Sequence, residues 1–112
     1  GIHAYAVHPG GIQTNLGRHM TQELIDGLME GMATRDPDFK WKTIPQGAAT
    51  QSWAATADEL EGKGGVYCED CHVAETDDEN PNGGVRSYAV DPANAHRLWA
   101  VSEKMTGESF SA

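Results

Sequence analysis

The chain reads as an α/β fold with two parallel strands and about three helices. Three observations predict it. Two short apolar runs rich in β-formers, Ile2 to Val7 and Val66 to Cys68, are each bounded by glycine or proline. Two helical patterns lie between those runs and a third follows them. The order strand, helix, helix, strand, helix is that of a parallel crossover, in which helices carry the chain back to the same end of the sheet.

The first strand stops at Pro9-Gly10-Gly11, where the backbone must turn into angles that ordinary side chains avoid. A helix follows from Thr21 to Met32, with Leu24, Ile25, Leu28, Met29 and Met32 on one face. Thr21 is its N-cap, Met20 and Ile25 form a staple across it, and Gly27 weakens it, so mobility is expected. Residues 33–42 read as a loop broken at Asp36-Pro37. The next helix, over 44–57, opens with Thr43 and Gln46 at capping-box spacing and Pro45 in its first turn. Gly47, Ala48, Ala49, Ser52 and Ala55 keep it slim enough to lie close on a sheet, with Trp53 as its large anchor. The second strand enters through Gly64-Gly65, and the polar stretch from Asp77 to Gly84 reads as a solvated acidic loop. The last helix is capped by Asp91, started by Pro92 and ended by Gly107, with Ala95, Leu98, Trp99, Ser102 and Met105 as its inner stripe.

The chain has 112 residues and a formal net charge of −9, with 38% apolar residues, and its mean hydropathy is −0.54. Those values describe a soluble chain with polar loops. A surface of that sign repels phosphate backbones, which argues against nucleic acid as a partner. No apolar run approaches the roughly 20 residues of a membrane helix, and no membrane partner is expected. No basic stretch precedes an apolar one, so the expected compartment is the cytoplasm. The sequence begins at glycine and runs straight into an apolar stretch, which reads as the middle of a longer protein.

Cys68-x-x-Cys71-His72 spells a c-type haem attachment site, making an electron-transfer or metal-binding protein the alternative function. Its setting argues otherwise. The residues before Cys68 read as a buried strand rather than a helix. Zinc would need further ligands, and no second Cys-x-x-Cys or His pair is present. A redox dithiol belongs at a helix N-terminus, where the dipole lowers the thiol pKa. Cys68 is therefore read as a packed strand residue, with Cys71 and His72 in the loop beyond. His3 reads as a packed strand histidine, and His8 sits beside the first turn with no assigned role.

The run "AVHPGGIQTNLGRHM" resembles the short-chain dehydrogenase/reductase family, in which a strand ends in Pro-Gly, then an apolar residue, then Thr. "KTIPQGAATQSWAATADELEGKGGVYCEDC" is similar to that family's next helix and strand. "DPANAHRLWAVSEKMTG" resembles the closing helix of its retinol-dehydrogenase-like members. The resemblance implies that residues 1–112 are one partial domain, the C-terminal segment of a Rossmann doubly wound parallel sheet that binds NAD or NADP. It implies that Pro9, Gly10, Gly11, Ile12 and Thr14 form the nicotinamide-side turn. It further implies that Leu24, Leu28, Met32 and Trp41 belong to a substrate lid closing over a small alcohol or carbonyl compound. The family's glycine-rich phosphate loop and Tyr-x-x-x-Lys pair are absent from these residues, so no catalytic residue is assigned. The first strand has no neighbour on its outer side, and an open edge offers a route to a homo-oligomer or to a non-catalytic interaction role.

Overall fold

A computed structural model describes residues 2–110. Its elements are β1 (Ala6–His8), α1 (Gln22–Arg35), α2 (Ile44–Thr56), β2 (Tyr67–Glu69), β3 (His72–Val73) and α3 (Pro92–Thr106), with short 3-10 turns at Asn15–His19, Asp58–Leu60 and Ser87–Ala89. The fold is α/β, with three helices and a small mixed sheet in the order β1-β2-β3.

β1 and β2 are parallel, with Ala6 opposite Tyr67, Val7 opposite Cys68 and His8 opposite Glu69. The expected crossover is present. The strands lie later in the sequence than their apolar runs suggest. Ile2 is fully exposed, and pairing starts only where the Gly65 N–H reaches the Ala4 carbonyl (2.8 Å) and the Ala6 N–H reaches Val66 (3.0 Å). Gly65 makes that entry possible with φ +74°.

β3 corrects the expectation of two strands. Asp70 and Cys71 both take positive φ, 44° and 59°. Two successive left-handed residues make the type I′ turn that matches the twist of a hairpin. His72 therefore begins an antiparallel strand, with Val73 opposite Cys68, and does not lie in a loop. The signal was hidden because Asp-Cys stands where Asn-Gly usually announces such a turn.

α2 explains the small core. The Thr43 hydroxyl accepts from the Gln46 N–H, and the Gln46 side chain accepts from the Thr43 N–H (2.8 Å), closing the capping box. Its small residues let it lie on β1 and β2, and Gly47, Thr50 and Ala54 are buried there. Cys68, Leu60, Ala74 and Val85 complete the buried set. Trp53 is only half-buried, its indole N–H donating to Glu59 (2.9 Å).

α3 has the caps read from the sequence, Asp91 accepting from the Ala93 N–H (2.8 Å) and Gly107 at φ +74°. Its inner stripe, however, is not inside: Leu98, Trp99 and Met105 are 68%, 56% and 82% exposed, and Ala95 and Ser102 are exposed as well. The strands are three, three and two residues long. Among the described residues α3 makes no substantial contact with that sheet, although Ala6 and His8 leave part of it exposed. α1 is equally open. It starts at the expected Thr21 cap and runs to Arg35, three residues past the expected end, stopping short of Pro37. Among the described residues it makes no substantial contact with a strand or another helix.

The exposed area measures how far this chain is from covering itself. It is 9013 Å², whereas a folded monomer of 12.0 kDa exposes about 6,000 Å². The radius of gyration is 17.2 Å against about 13 Å for a self-contained domain of this length. Among the described residues, no helix is long and apolar enough to cross a membrane.

Candidate functional site

β1 delivers the chain into its turn at Pro9. Gly10 has φ +83°, a left-handed angle that favours glycine, and a Cβ there would stand 2.7 Å from the Cδ and Cε of the Lys42 side chain, which would have to shift. Gly11 faces a different roof, where a Cβ would meet Phe39 at 2.8 Å and Trp41 at 3.3 Å. Phe39 and Trp41 pack edge to face with centroids 5.2 Å apart. The Trp41 indole N–H is buried and without a hydrogen-bond partner among the described residues.

The backbone then leaves the turn in a fixed register. The Lys42 N–H donates to the Gly11 carbonyl (2.9 Å), and Ile12 pairs with Lys42 in a parallel bridge. That pairing uses the groups on one side of the strand-like segment. It leaves the Ile12 N–H without a protein partner among the described residues. Thr14 caps the 3-10 turn that follows, its hydroxyl oxygen accepting from the Leu16 N–H (3.2 Å); the hydroxyl proton stays free to donate. Pro9, Gly10, Ile12 and Thr14 meet Gly47 and Ala48 of α2 around an open groove of about 420 Å³. The structure thus brings four of the five expected turn residues to one groove and turns Gly11 toward the aromatic pair.

The expected lid residues are not gathered there. Trp41 reaches the turn through Gly11. Leu24 and Leu28 are exposed, at 53% and 44%, on the free helix α1, and Met32 is half-buried. None of these three lines the groove.

On the far side, Cys68 is wholly buried, and burial pushes its thiol pKa up. Cys71 is exposed on the hairpin turn. Its N–H donates to the Thr50 hydroxyl (3.3 Å), and Thr50 is only 1% exposed. Tyr67 is also raised, by desolvation first and the neighbouring Glu69 carboxylate second. The acidic loop is solvated but ordered. Asp77 accepts from the Glu79 and Asn80 N–H groups (2.9 and 3.0 Å), Asp78 from the Ser87 N–H (2.8 Å), and Glu69 from the Gly84 N–H (2.8 Å). Arg86 donates to the Asp77 and Asn80 carbonyls. These bonds hold both aspartates below the usual carboxylate range. Sequence reasoning gave no role to Lys42, Thr50 or Asp70. The available signal was a cation standing directly before a capping box in a chain with eight basic and seventeen acidic residues.

Comparison with known proteins fits the motif likeness. Over 111 residues, 94% of the chain is 41% identical to the short-chain dehydrogenase/reductase prx1 of Penicillium rubens, of which it covers 31%. The chain is homologous to a segment of short-chain dehydrogenase/reductases. A probable oxidoreductase of Streptomyces lividans is 41% identical over 103 residues, 88% of the chain and 35% of that protein. The short-chain dehydrogenase TIC 32 B, chloroplastic, of Brassica napus is 38% identical over 100 residues, 89% of the chain and 27% of that protein. The chain spans about a third of the length of these curated relatives. No family model matches it, and no solved structure does.

Proposed function

We propose that this chain is the C-terminal portion of an NAD(P)-dependent short-chain oxidoreductase that interconverts an alcohol and a carbonyl compound. The observation that carries the reading is the groove at the carboxyl end of β1, in a chain whose relatives are named dehydrogenases and oxidoreductases. In open α/β sheets, ligands bind outside the carboxyl ends of the strands. The groove fits a planar amide: the Ile12 N–H, unpaired among the described residues, donates to a carbonyl oxygen, the Thr14 hydroxyl supplies a second polar contact, and Gly47 leaves room beside Ile12.

When bound, the nicotinamide supplies or accepts the hydride. The residues of this chain orient its ring through the carboxamide, so that one face meets the substrate carbon. Proton transfer falls to residues outside the chain, because these 112 contain no Tyr-x-x-x-Lys pair. Leu24, Leu28, Met32 and Trp41 form the adaptable apolar side of the substrate space once the rest of the domain is in place. The surplus exposed surface supports the reading as a partial domain whose remaining layers would cover it. A small-molecule substrate and self-association through the β1 edge are the expected partners. A cytoplasmic setting is the expectation, and two relatives carry chloroplast names.

The test compares the 112 residues alone with the full-length protein that carries them, using NADH and NADPH against a panel of aldehydes and ketones. The reading expects turnover from the full-length protein and none from the chain. Turnover that co-purifies with the isolated chain, or a full-length protein that neither binds nor oxidises either cofactor, contradicts it.

A further inference from the structure

We infer that Lys42 is a positioning residue for the nicotinamide-side turn, acting as a strut between that turn and the β2–β3 hairpin. This rests on the reading of the groove as a cofactor site.

Three contacts converge on Lys42. Its backbone N–H holds the Gly11 carbonyl at 2.9 Å. Its side-chain stem lies across Gly10, close enough that a Cβ there would stand 2.7 Å from Cδ and Cε and 2.8 Å from Nζ. Its ammonium pairs with Asp70 at the tip of the hairpin. The stem therefore crosses the one turn residue that needs a left-handed conformation. Thr50 holds the other half of the hairpin tip through the Cys71 N–H. The turn, the start of α2 and the hairpin are tied at one residue, so the position of Ile12 and Thr14 depends on where the hairpin stands.

The geometry suits a strut better than a direct ligand contact. Lys42 does not line the groove that holds Pro9, Ile12 and Thr14. Its ammonium is committed to Asp70, and its side chain is 27% exposed. An exposed ion pair adds little to global stability because solvent screens it. Its effect is local, on how long the turn keeps one conformation.

The test uses the full-length protein with Lys42→Met, Asp70→Asn and Lys42→Arg. Methionine keeps a stem over Gly10 and removes the charge. Asparagine tolerates the left-handed angle at position 70, so the hairpin turn survives. Hydrogen–deuterium exchange without cofactor is followed at the amide of residue 42, which bonds the Gly11 carbonyl, and, as a reference, in residues 48–56 of α2. Fluorescence titration with NADH and NADPH is run beside it. Lys42→Met and Asp70→Asn should raise exchange at residue 42 and leave 48–56 unchanged. Both should weaken cofactor binding by about two- to fivefold, the range of an exposed ion pair, and Lys42→Arg should restore both readouts. Unchanged exchange at residue 42 overturns the strut, as does an equal rise in 48–56, which would mark general destabilisation. A wild-type protein that binds neither cofactor defeats the reading of the groove instead, and the exchange result still decides the strut.

Discussion

Gly47 of α2 lies directly against Ile12, and a Cβ on Gly47 would stand 2.7 Å from the Ile12 Cδ1. This contact sets the distance between the helix and the segment leaving the turn. Gly47→Ala should shift Ile12 and destabilise the protein despite alanine's better helix propensity. Overpacking costs about 1–3 kcal/mol, against a gain of about 1 kcal/mol from removing a helical glycine. Denaturant unfolding of the full-length protein checks this in a double-mutant cycle with Ile12→Ala. The pair should be strongly coupled, because truncating Ile12 makes room for the new methyl. Additive effects would show that the two residues do not meet.

Thr50 is a buried hydroxyl with a defined task. Thr50→Val keeps the shape and removes the acceptor for the Cys71 N–H. Leaving that donor unpaired should cost about 1 kcal/mol, the low end for a group near the surface. Amide exchange at Cys71 should quicken while exchange at Cys68 stays slow. Equal protection of Cys71 in both proteins would mean the hairpin is held by something else.

The acidic loop predicts a pH response. Asp77 and Asp78 are held below their ordinary value of 3.8 by backbone N–H groups that they bond only when folded. A depressed folded pKa contributes stability above the unfolded value and loses it as pH falls toward the folded one. The loop should therefore loosen below about pH 3.8, starting from the ordinary carboxylate range. Amide chemical shifts of Glu79, Asn80 and Ser87 report it, and Asp77→Asn, which accepts without titrating, should flatten the response at Glu79 and Asn80. Cys68 and Tyr67 work in the opposite direction. Their raised pKa values stabilise the fold below the ordinary 9.0 and 10.0, and this contribution declines as pH rises past those values toward the folded ones.

Local signals in the sequence were legible wherever a residue acts on its own neighbours. Thr21, Thr43 with Gln46, and Asp91 cap the helices that their spacing announces, and Pro9-Gly10 marks the end of the first strand. Burial was not legible, because it depends on surfaces elsewhere. The stripe of Leu98, Trp99 and Met105 has helical periodicity but meets no sheet in these residues. Ile2 looks like a strand residue and pairs with none of the described residues. Lys42 and Asp70 lie 28 positions apart; no periodicity links them, and only the hairpin brings them together. The hairpin itself was missed because its turn residues are atypical.

Cofactor titration of the full-length protein with Thr14→Val and Thr14→Ser tests the central claim most directly, that the turn after β1 orients a nicotinamide. Valine removes the hydroxyl and serine keeps it. Loss of one hydrogen bond to a neutral amide should weaken binding by about 0.5–1.5 kcal/mol in Thr14→Val, and Thr14→Ser should bind as the wild type does. Unchanged affinity in Thr14→Val, or an equal loss in both variants, would contradict the assignment.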